Sequence, residues 1–180
     1  MGEIKSTLEL AMERTKRFAV SEKEKDEIKQ KEVLRKATSL FHRYREGHLS
    51  LNDILKEIEG MEGKTATTVK EYLLSRWINA LCLDDDNERN LKGVELLKEK
   101  SIAQVKQEFH HLLSQYQREK ERVKEKVGVQ LIAALKKGGI WGSAVEPKLE
   151  GSELWNKENE NLDQSYRMTL EEIKQQLRVS

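Results

Sequence analysis

From Ile4 onward, apolar or small residues return at alternating intervals of four and three: Ile4, Leu8, Ala11, Thr15 and Phe18. That spacing predicts one buried face of a helix. The run stops at "AVSEKEK", where Ser21 and Glu24 form a capping-box pair and predict a new helix start. The helix that follows is expected to reach about Glu46, burying Val33, Leu34, Ala37, Leu40, Phe41 and Tyr44 and ending at Gly47. Ser50 can cap a short helix carrying Leu51, Ile54, Leu55 and Ile58, with Gly60 and Gly63 as its stop. Val69, Tyr72, Leu73, Trp77, Ala80 and Leu81 give the next helix a wide apolar face, expected to pack against the first half of the longest helix. In "DDDNERN", a turn and a helix cap are expected together.

After Leu91, Val94 and Leu97 comes the longest periodic run: Ile102, Val105, Phe109, Leu112 and Tyr116, then more sparsely Val123, Val127, Leu131 and Ala134. It predicts a helix of some thirty residues or more, broken from its predecessor near Ser101. Its segment "QREKERVKEK" has so little apolar content that it is expected to lie beyond the core or to cross a partner through Val123 alone. A last helix, capped by Ser152, carries Leu162, Tyr166, Leu170, Ile173 and Leu177. No strand pattern and no internal repeat interrupts this series. The expected fold is all-α, an irregular bundle of six or seven helices with one long, partly extended helix and coiled-coil-like faces. Residues 1–137 form the bundle, 138–151 a glycine-rich loop, and 152–180 a helix packing on the bundle or on a partner.

The loop "KKGGIWGSAVEPKLEG" departs furthest from the helical pattern. Lys136 and Lys137 suit the carbonyl end of a helix, and Gly138 or Gly139 can adopt the left-handed conformation that ends one. Pro147 forces Glu146 toward an extended backbone. Ile140, Trp141 and Val145 are left without a structural explanation, because a loop is ordinarily polar. Two readings follow: Trp141 plugs the end of the bundle, or Ile140, Trp141 and Val145 anchor a partner.

Composition narrows the functional classes. The chain has 180 residues, 36% charged and 37% hydrophobic but only 6% aromatic, which favours long helices over a tightly packed α/β domain. Thirty-three basic and thirty-two acidic residues leave a net charge of +1, so no global field draws the molecule onto nucleic acid or an anionic membrane. Cys82 is the single cysteine; it reads as a small core hydrophobe and excludes an intrachain disulfide. No run is apolar enough to span a membrane and the opening lacks a secretory core, so a cytoplasmic location is expected. "MGEIKS" fits the myristoylation pattern through Gly2 and Ser6, but no basic cluster follows to supply a second membrane signal.

Chemistry is sparse. His42, His48, His110 and His111 stand in unrelated contexts, and adjacent His110 and His111 diverge by about 100° on a helix, so no metal site is expected. In "DDDNERNLKGVE", Asp84, Asp86, Glu88 and Glu95 match calcium-loop positions, but Arg89 occupies the glycine position and Lys92 a ligand position. No phosphate cradle and no nucleophile with its base is found, so neither catalytic residues nor a cofactor are expected. Arg118, Lys120, Arg122, Lys124 and Lys126 make a basic ridge, interleaved with Glu119, Glu121 and Glu125. A solvated face with ion pairs along the helix is one reading, and contact with nucleic acid or an acidic partner the other.

The opening "MGEIKSTLELAMERTKRFAVSEKEK" and the loop "GGIWGSAVEP" resemble a group of small, uncharacterised bacterial proteins. The resemblance implies a bacterial, cytosolic origin and brings no activity or cofactor. The expected function is a non-enzymatic helical interaction protein, an adaptor, scaffold or regulator, with a protein partner or self-association as a dimer expected. The alternative is a regulator associated with nucleic acid or the transcription machinery through the ridge 118–126.

Overall fold

The computed structural model describes residues 21–98, 101–140, 142 and 146–179. The helix expected over Ile4–Phe18, the Gly2 and Ser6 pattern, and Trp141 and Val145 lie outside them. The described residues hold six helices and no strand: α1 (Glu22–Arg45), α2 (Leu51–Glu59), α3 (Gly63–Asn79), α4 (Glu88–Leu97), α5 (Ala103–Lys137) and α6 (Glu153–Val179). The all-α bundle with one long helix is therefore borne out. The chain divides into two compact units, Met1–Leu73 and Leu74–Ser180, with the boundary inside α3.

In the first unit, both helix starts are capping boxes. Ser21 Oγ accepts from the Glu24 amide at 3.2 Å while Glu24 accepts from the Ser21 amide at 2.8 Å. Ser50 and Asp53 repeat the arrangement at the head of α2. α1 ends in a Schellman motif: Gly47, at φ 83°, donates to the Tyr44 carbonyl and His48 to that of Arg43. Ala37, Leu40, Phe41, Tyr44, Ile54, Ile58, Val69 and Leu73 are buried. The Thr38 and Tyr72 hydroxyls meet at 2.7 Å, and Lys36 reaches Glu57 at 3.0 Å. Two expectations need correcting. Leu34 is exposed, because nothing in α1 before Ala37 is buried. Gly63 begins α3 instead of ending α2, for Gly60 already occupies the C-cap.

The second unit is organised around a buried asparagine. Asn87 Oδ1 accepts from the Cys82 amide at 2.9 Å, and Nδ2 donates to the Cys82 and Asp85 carbonyls at 2.8 and 2.7 Å. The side chain thus closes the loop before α4, and Asp86 Oδ1 accepts from the Glu88 amide in its place. Cys82 is half-buried rather than a core residue. Gly93 faces the Trp77 indole so closely that a Cβ would lie 2.5 Å from the ring. α5 runs 35 residues, roughly 50 Å. Its close neighbour is α6, which returns antiparallel along it. Periodicity identifies a buried face but not the helix that covers it. Phe109, Leu112, Tyr116 and Val127 of α5 and Leu170, Ile173 and Leu177 of α6 are buried.

The described residues between Lys137 and Glu153 are non-helical. Gly139, at φ 82°, donates to the Lys136 carbonyl and Ile140 to that of Leu135, a second Schellman motif. Ser152 Oγ accepts from the Trp155 amide at 3.2 Å, the expected cap of the last helix.

Candidate functional site

The basic ridge lies on α5, and all five of its side chains are engaged. Arg118 folds back on Ser114, donating to its hydroxyl at 3.0 Å and its carbonyl at 3.3 Å. Arg122 pairs with Glu119 one turn away, and Lys124 approaches Glu121 at 3.8 Å. Lys120 reaches Asp84 in the loop before α4, and Lys126 reaches Glu158 of α6 at 3.5 Å. The segment expected to lie beyond the core is therefore tied to its neighbours by charge, with Val127 wholly buried just after it. The sparse apolar pattern misled because polar side chains supply its cross-links. Exposed pairs such as Arg122–Glu119 contribute little to stability and are screened by salt. The ion pairs do, however, place an acid beside four of the five bases that a phosphate would need.

Tyr116, which the sequence marked only as a core position, gathers the largest set of polar partners. It is fully buried. Its hydroxyl donates to Asp163 Oδ1 at 2.7 Å and lies 3.1 Å from Asp84 Oδ2. A phenol has one proton, so the shorter contact takes it and Asp84 draws its neutralising charge from Lys120. That ammonium also sits 5.4 Å from the Tyr116 ring centroid, while Tyr166 meets the ring edge-on at 5.5 Å. Asn159 donates to the other Asp163 oxygen at 3.4 Å. Burial, then the bond to Asp163, pushes the Tyr116 hydroxyl far above the ordinary tyrosine range. At neutral pH it is a fixed donor, neither nucleophile nor base. Both oxygens of Asp163 and Oδ1 of Asp84 are occupied, which makes the cluster a clasp between the 80–87 loop, α5 and α6. The signal available in the sequence was a tyrosine on a core stripe, since a buried hydroxyl needs an acceptor.

Ile140 is the residue after the left-handed glycine of the second Schellman motif and is 52% exposed. Its expected companions Trp141 and Val145 lie outside the described residues. Close to the ridge, a cleft of about 410 Å³ opens between Lys120 and Lys124 of α5, Pro147 and Leu149 of the connecting segment, and Trp155 of α6. The histidines are dispersed: His110 lies 3.5 Å from Glu88, His111 3.0 Å from Gln115 and His48 3.6 Å from Glu46. Among the described residues no three His, Cys, Asp or Glu side chains group to hold a metal ion, and no helix is long and apolar enough to cross a membrane. No family model, curated protein or solved structure matches the chain.

Proposed function

We propose that the chain is a helical protein-interaction module, an adaptor, scaffold or regulatory protein, and that it carries out no catalysis. The supporting observation is how the ionisable groups are spent. Where they converge, at Tyr116, Asp84, Asp163 and Lys120, they engage one another around a buried phenol that holds its proton toward Asp163. Apolar side chains, by contrast, stand in solvent on both units: Ile28 and Leu34 on α1, Val129 on α5 and Met168 on α6. Pairing along the ridge weighs against the nucleic-acid reading, which needs lysines and arginines free to displace counterions and aromatic side chains on which bases stack.

Photo-crosslinking tests the proposal. A photoreactive amino acid placed singly at Leu34, Val129 or Met168, in cells that make the protein natively, is expected to give a discrete protein adduct from at least one position. Adducts from none of them would overturn it.

A further inference from the structure

The end of α5 is poor in acids. From Lys126 to Ile140 there is no acidic residue, in a sequence with thirty-two acids among 180 residues. Lys126 is held by Glu158, but Lys136 and Lys137 are exposed and make no ion pair among the described residues. They favour the carbonyl end of the helix, a role one lysine would fill. Between these charges the exposed residues are apolar except for Gln130. Val129 is 68% exposed, Ala133 is exposed and Ile132 half-buried. Positions 129, 133 and 136 follow at intervals of four and three and share a face, which Ile132 borders. Beyond the helix the Ile140 amide is pinned to the Leu135 carbonyl at 3.0 Å, leaving its exposed side chain at the same end.

An apolar strip that ends in two lysines and lies within a fifteen-residue run free of acids is complementary in charge and polarity to one kind of occupant. We infer that the end of α5, through Val129, Ile132, Ala133, Lys136, Lys137 and Ile140, receives an acidic amphipathic helix of another protein. The inference rests on the interaction reading and gives it a surface and a partner chemistry. Apolar residues of the incoming helix cover Val129 and Ile132, and its carboxylates meet Lys136 and Lys137.

The test uses the full chain with the photoreactive amino acid at Val129. Leu34, 39% exposed, and Met168, 74% exposed, serve as comparisons. The expected result is a Val129 adduct whose sequenced partner segment carries net negative charge and apolar residues at helical spacing. Charge reversal by Lys136→Glu with Lys137→Glu is expected to lower its yield by about tenfold, while Lys136→Arg with Lys137→Arg preserves it. Circular dichroism confirms that each variant is folded. An adduct to a second copy, to lipid or to a segment without net negative charge overturns the inference, as does a yield indifferent to charge reversal. Adducts at Leu34 or Met168 with none at Val129 reject this surface and leave the interaction reading standing. Adducts at none of the three positions reject both.

Discussion

Tyr116 and Gly93 show how single residues constrain the second unit. Tyr116→Phe keeps the ring and its edge contact with Tyr166 but removes the donor to Asp163. The expected cost is about 2 kcal/mol, typical of a bond to a charged acceptor, read as a lower urea midpoint at unchanged slope. The same hydroxyl sets an alkaline limit. Its native pKa is raised, so above the ordinary tyrosine value of about 10 the unfolded chain releases a proton that the native state retains. The contribution is fully present below that pH and is lost as pH rises past it. Stability of the protein is therefore expected to fall more steeply above pH ~10 than that of Tyr116→Phe, measured by urea unfolding across the alkaline range. Gly93→Ala would place a methyl 2.5 Å from a wholly buried indole that has no room to retreat. A loss of about 1–3 kcal/mol is expected. Trp77→Leu combined with Gly93→Ala should cost less than the two changes separately, by about 1 kcal/mol in a double-mutant cycle.

Among the elements, the helices were legible wherever a stripe was backed by a cap. Ser21 with Glu24, Ser50 with Asp53, Gly47 and Ser152 all act as their residue types predict. The Ser21 amide and hydroxyl hold the Glu24 carboxyl below the ordinary range, and the Ser50 hydroxyl and amide do the same for Asp53. Lowered values mean that the native state favours the ionised carboxylate. This stabilisation is present above the ordinary carboxylate pKa of about 4 and is lost as pH falls through the lowered native values. Helicity followed by circular dichroism is expected to decline on that limb, and less steeply in a Ser21→Ala, Ser50→Ala double variant, which has no box left to lose. What the stripes could not give was which helix covers which face. Ile78 is buried outside the expected stripe of α3, and α5 pairs with α6. The site was legible only in part for the same reason. The five ridge bases could be named, but Lys120 finds Asp84 thirty-six positions away and Tyr116 finds Asp163 forty-seven away. Contacts at such separations follow from tertiary packing, to which no local period corresponds.

For the whole molecule, balanced charge is the governing property. With thirty-three bases against thirty-two acids, and each ridge base engaged, long-range attraction to a polyanion is weak. The full chain is expected to show no association with duplex DNA or single-stranded RNA at ionic strengths of about 50–200 mM, measured by fluorescence anisotropy. Binding that weakens steeply across that range would transfer the function to the nucleic-acid alternative. Specific recognition in a molecule of this kind depends on local surface, and the acid-free end of α5 is one part of the described surface where the balance is broken.

The contact between Gly93 and Trp77 also orders the chain's mutational history. A side chain at position 93 is admissible only after the residue at 77 has become smaller. A lineage taking the two steps in the opposite sequence passes through an overpacked intermediate. Drift at this pair is therefore directional: the large partner must yield first, and once a side chain occupies position 93 the way back to tryptophan is closed until glycine returns.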